Sequence, residues 1–82
     1  MHTIFLDGRD YAAARDVHEA LKRLLALPDY YGRNADALYD CLKGQRETVN
    51  LSVIHPGDGD VSATLRKCAA VIRDLGGEVI GL

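Results

Sequence analysis

The chain has 82 residues, an apolar share of 48%, a charged share of 27% and a formal net charge of −2. That length holds one domain, spanning 1–82, with a modest core, and the composition excludes a disordered chain. The charge balance argues against nucleic-acid binding, which needs a basic face, and no apolar run reaches the length of a membrane span.

The N-terminal stretch MHTIFLDGRD carries no signal-peptide pattern, so the expected setting is the cytoplasm. In that reducing compartment Cys41 and Cys68 are expected as small hydrophobes and not as a disulfide. There is no CxxC, and His2, His18 and His55 have no ligand-like spacing, so neither a metal nor another cofactor is implied.

In chain order, Thr3-Ile4-Phe5-Leu6 is a short β-prone run closed by the turn signal Asp7-Gly8. From Tyr11 to Leu25, Val17, Ala20, Leu21, Leu24 and Leu25 recur at helical spacing, with Asp10 as N-cap and Pro28 as stop. Asn34 is a good N-cap for a second helix to Leu42 or Lys43, with Gly44 as a left-handed terminator. Thr48 to His55 reads as a strand with Val49, Leu51 and Val53 on one face, followed by the turn-rich PGDGD. Val61, Leu65, Cys68, Ile72 and Leu75 trace a third helix, ended by Gly76-Gly77, and Glu78 to Leu82 closes the chain as a strand. The order β-α-α-β-α-β, with helical crossovers between short apolar strands, predicts an α/β fold with a three-stranded parallel sheet packed by about three helices.

The segment ALPDYYGRNADALYDCL, residues 26–42, concentrates three tyrosines, a proline, a glycine, a cysteine and three aspartates. On a helical wheel with Leu38 at zero, Leu42, Ala35 and Cys41 fall within about 60° and form the buried stripe. Asp36 and Asp40 fall roughly opposite, near 160° and −160°, and Tyr39 sits on the shoulder at about 100°. A like-charge pair four apart costs roughly 0.2–0.5 kcal/mol in an isolated helix. Asp36 recovers some of that from the macrodipole in the first turn, whereas Asp40 lies near the carboxyl end, where a cation is the stabilising choice. A solvated polar face accounts for such a pair without any function. The adjacent Tyr30 and Tyr31 favour a binding surface, with one ring packed inward and the other outward. Gly32 serves either a positive φ or the close approach of a partner to the backbone.

Catalytic readings fail on the residues. Two neighbouring carboxylates on an exposed helix lack the cleft and the separated protonation states that acid–base work needs. No nucleophile elbow is present, and neither GxxxxGK[ST] nor GxGxxG occurs.

The segment ALPDYYGRNADALYDCL, with DGRDYAAARDVHEALKRLLALP upstream, resembles the barstar family of intracellular ribonuclease inhibitors over roughly the first 44 residues. The downstream half matches in the order of its elements. The resemblance implies a parallel three-stranded sheet with helices packed on it. It also implies inhibition without catalysis, by a 1:1 complex in which the acidic second helix and the loop before it plug a secreted, basic ribonuclease. Carboxylates then stand in for RNA phosphates. By position, Asp40 corresponds to the family's central acidic anchor, Asp36 to the second one, and Tyr30 to the aromatic beside the enzyme's catalytic histidine. Tyr31, Gly32, Asn34, Tyr39 and Gly44 fall where interface or loop residues fall. The free protein is expected to be a monomer. An immunity or interaction module aimed at another, non-nuclease toxin, and a scaffold with a merely solvated acidic face, are the competing readings.

Overall fold

A computed structural model describes residues 2–82. Strand β1 (His2–Leu6) leads through a 3-10 turn (Gly8–Asp10) to helix α1 (Ala14–Leu24) and helix α2 (Ala35–Lys43). Strand β2 (Val49–Val53), helix α3 (Gly59–Asp74) and strand β3 (Val79–Ile80) complete the order. The sheet runs β1-β2-β3, parallel throughout, with Ile4 opposite Leu51 and Leu51 opposite Val79. This is the α/β arrangement predicted, in the predicted order. Between β2 and α3 the chain is a loop without a helix.

Period-2 alternation decides which sheet face is covered. Ile4, Leu6, Val49, Leu51 and Val53 are buried together with Val17, Leu21, Leu38, Leu65 and Ile72 from the helices. Phe5 and Ile80 remain exposed, one on each strand paired with Ser52 of β2. Helix α3 touches α1, α2 and β2, so it is the central brace against which α2 is held. Its buried Cys68 has a thiol pushed up to about 12 by desolvation, and both cysteines are free.

Several local expectations fail for identifiable reasons. Asp10 does not cap α1: it ends the 3-10 turn, its amide donating to the Asp7 carbonyl at 2.9 Å, and it lies four residues before the helix begins. Asp7 is the cap of that turn: its carboxylate accepts from the Arg9 amide at 3.0 Å and from the Arg9 guanidinium at 2.8 Å. These bonds hold its carboxyl down at about 2. Helix α1 starts at Ala14 instead, where the Asp16 carboxylate reaches back to the amides of Ala12 and Ala13, each at 3.1 Å. Leu24 is exposed, and His18 takes a place on the buried side of α1. The final strand is two residues long, because Gly81 turns away with φ of 92°. Gly44 has φ −87° and ψ −4°, right-handed and not left-handed; the chain leaves α2 through a turn closed by the Gln45 amide on the Leu42 carbonyl.

Candidate functional site: the loop before helix α2 and its outer face

Pro28 stops α1 from continuing and starts a tight turn, in which the Tyr31 amide donates to the Pro28 carbonyl at 3.0 Å. The turn sends the two adjacent rings to opposite sides. Tyr30 is 86% exposed, and Tyr31 is 2% exposed inside the core. The Tyr31 hydroxyl lies 2.7 Å from Nδ1 of buried His18, with the rings tilted at 54°. Burial raises the Tyr31 phenol above its ordinary range and lowers the His18 imidazole, with the nearby Arg33 charge adding to the second effect. The phenol therefore keeps its proton and the imidazole is neutral. The bond runs either from the phenol to a bare Nδ1, with the imidazole proton on Nε2, or from Nδ1–H to the phenol oxygen.

A positive φ, one of the two roles open to Gly32, occurs one residue later instead, at Arg33, with φ of 55°. A side chain in that region is unusual, and two contacts keep it there. The Arg33 guanidinium pairs with the Glu19 carboxylate of α1 and lies 3.4 Å from the Tyr31 carbonyl. Asn34 then starts α2 as anticipated: its Oδ1 accepts from the Ala37 amide at 2.8 Å, while its Nδ2 donates to the Gly32 carbonyl at 3.2 Å. One side chain thus satisfies a helix amide and fastens the preceding loop.

On α2, Leu38 and Leu42 are buried and Ala35 and Cys41 partly so, as the wheel predicts. Asp36 and Asp40 are both exposed, and Tyr39 is 40% exposed beside them. Lys43 in the last turn supplies the cation that the dipole argument asks for near Asp40. Its Nζ lies 3.4 Å from the Asp40 carboxylate and 5.8 Å from the centre of the Tyr39 ring. The pair is open to solvent and worth no more than about 1 kcal/mol.

Tyr30, Gly32, Asn34, Asp36, Tyr39, Asp40 and Gly44 thus lie along one loop and one helix, with exposed or half-exposed positions. Tyr31 differs: its ring is in the core, so it fixes the loop from beneath and presents no side chain to a partner. The residue missed in the sequence is His18. Its place next to Val17 and three before Leu21 puts it at the edge of the apolar stripe, which was the available signal. Among the described residues, no group of three His, Cys, Asp or Glu side chains could hold a metal ion, and no helix is long and apolar enough to cross a membrane.

Over 44 residues the chain is 54% identical to a Bacillus subtilis (strain 168) protein named "Putative ribonuclease inhibitor YrdF". The aligned stretch covers 54% of this chain and about half (48%) of that relative. The family model described as Barstar (barnase inhibitor) matches residues 1–78, nearly the whole chain. A match over nearly the whole chain places it in the barstar family.

Proposed function

We propose that this protein is a stoichiometric inhibitor of a basic, secreted ribonuclease, acting inside the cell that makes the enzyme. The domain works as one unit over 1–82. The outer face of α2 enters the cationic active site, with Asp40 as the central contact and Asp36 as the second. Tyr30 packs beside them, and Gly32, Asn34, Tyr39 and Gly44 complete the contact surface.

The observation that carries this reading is the joint exposure of Asp36 and Asp40 on the helix face opposite Leu38 and Leu42, beside an almost fully exposed Tyr30. Two outward carboxylates gain charge-assisted hydrogen bonds in a cationic, partly desolvated pocket that they cannot gain in water. The loop and helix are already tied by Asn34, Arg33 and Tyr31, so docking loses little ordering entropy.

The test is RNA cleavage by basic ribonucleases with and without the protein, at low and high salt. Inhibition at one inhibitor per enzyme, weakened by salt and lost in Asp40→Ala, is expected. Full inhibition by the folded Asp40→Ala protein would remove Asp40 from the contact. No inhibition of any basic ribonuclease would favour a different toxin as target.

A further inference from the structure

Beside the acidic face, and independent of the inhibitor reading, lies a site of opposite character. The N-terminal half of α1, the start of α2 and α3 enclose a cleft of about 330 Å³. Three cations line it, Arg15, Arg33 and Lys67, against one carboxylate, Asp36. This local excess of positive charge occurs in a chain whose net charge is −2. Arg33 is held by Glu19, whereas Arg15 and Lys67 have no ion-pair partner among the described residues.

Two lining side chains are nine-tenths or more buried and polar: His18 at 6% exposure and Thr64 at 9%. The His18 Nδ1 is taken by the Tyr31 hydroxyl. No described residue bonds Nε2 or the Thr64 hydroxyl, yet no fully buried side-chain nitrogen or oxygen lacks a partner, so both atoms are reached by solvent, in residues that line the cleft. In the tautomer in which Tyr31 donates to Nδ1, Nε2 carries a proton and is a donor. Polar groups from α1 and α3 therefore meet three cations, two of them without an ion-pair partner among the described residues, on one concavity.

We propose that this cleft binds a phosphate dianion, free or as the terminal group of a phosphomonoester, between Arg15, Arg33 and Lys67 and over His18 Nε2–H and the Thr64 hydroxyl. Neutral donors and cations of this kind recognise oxyanions through charge-assisted hydrogen bonds. The volume exceeds that of a bare phosphate and stands at the small end of ligand sites, leaving room for an organic body. Asp36 is the one carboxylate of the lining, and it is exposed; Glu19, behind Arg33, is the other negative charge nearby.

The experiment is an NMR titration at pH 7.5 and fixed ionic strength, with inorganic phosphate, adenosine 5′-monophosphate or adenosine as probes. Saturable shifts at the His18 ring, Thr64 and Lys67 are expected with both phosphates and none with adenosine. Arg15 and Lys67 are exposed, so Arg15→Gln and Lys67→Gln should keep native spectra while each weakens binding about tenfold. Asp40→Ala should leave phosphate binding unchanged even if it abolishes ribonuclease inhibition, which separates this site from the docking face. Tighter binding of the nucleotide than of inorganic phosphate identifies the phosphomonoester as ligand, and equal binding identifies the free ion. Non-saturating shifts, shifts spread over other surface cations, an equal response to adenosine, or affinity unchanged in both variants each overturn the site.

Discussion

The Tyr31 hydroxyl sits 2.7 Å from Nδ1 of His18, inside the core, and joins the loop before α2 to the buried side of α1. Their sequence separation is 13 residues, so the bond closes the α1–α2 connection. Removing only the hydroxyl leaves the imidazole nitrogen unsatisfied in a buried place. Tyr31→Phe should therefore lose about 1–3 kcal/mol in urea unfolding, with a change in midpoint and little change in slope. A loss below about 0.3 kcal/mol would mean that the bond does not stabilise the loop.

The same pair gives stability a pH dependence. Burial and the Arg33 charge lower the folded-state pKa of His18 below the ordinary histidine value of 6.5. Below that value the unfolded chain binds a proton that the folded chain resists. The contribution from neutral His18 is thus complete above about pH 6.5 and is lost as pH falls toward the depressed folded value. Thermal melts from pH 7.5 to 5.5 should show a falling midpoint, and His18→Gln should flatten the profile over that window. A wild-type midpoint that is constant there, or a slope that survives the substitution, counts against this assignment.

The elements that could be read from sequence are those fixed by local pattern. Alternation placed Val49, Leu51 and Val53 inward, and the α3 stripe needed only helical spacing. The outward direction of Asp36 and Asp40 followed from the wheel, because Leu38 and Leu42 leave no other face for the core. The start of α1 was misplaced because Asp10 had two possible local uses, and the 3-10 turn took it. Leu24 and His18 exchanged expectations because a buried imidazole depends on a phenol 13 residues away. The cationic cleft was invisible for the same reason: Arg15, Arg33 and Lys67 come from separate segments and meet only after folding.

Arg33 tests how much strain the loop carries. Its φ of 55° favours glycine, and its guanidinium pairs with Glu19. Arg33→Ala loses the pair and keeps the unfavourable backbone, whereas Arg33→Gly loses the pair and relieves the backbone. The glycine variant should be the more stable of the two by about 1 kcal/mol in chemical denaturation. Equal stability, or the reverse order, would show that the loop relaxes out of the left-handed region once the arginine is gone.

Gly44 makes the opposite case, since its backbone is right-handed and a Cβ there would meet nothing within 4 Å. Gly44→Ala should stabilise the fold by roughly 0.4–1 kcal/mol by restricting the unfolded chain. If the position also lies against the ribonuclease, the same methyl should weaken inhibition while the melting temperature rises. A fall in both would instead place a steric conflict within the fold, against the open space around this residue.

Lys43 sets the field that an approaching partner meets. Its ammonium lies 3.4 Å from the Asp40 carboxylate, so the proposed anchor is partly neutralised in the free protein and the contact must open on docking. Lys43→Met keeps an unbranched side chain over Tyr39 but takes away the charge, moving the net from −2 to −3. Association with a basic ribonuclease should then speed up by about two- to fivefold at low ionic strength, the difference closing as salt screens the surface. Stopped-flow association over a salt series measures this directly. A slower association would mean that Lys43 itself reaches an acidic group on the enzyme, and a rate unchanged at all salt concentrations would place Asp40 away from the path of encounter.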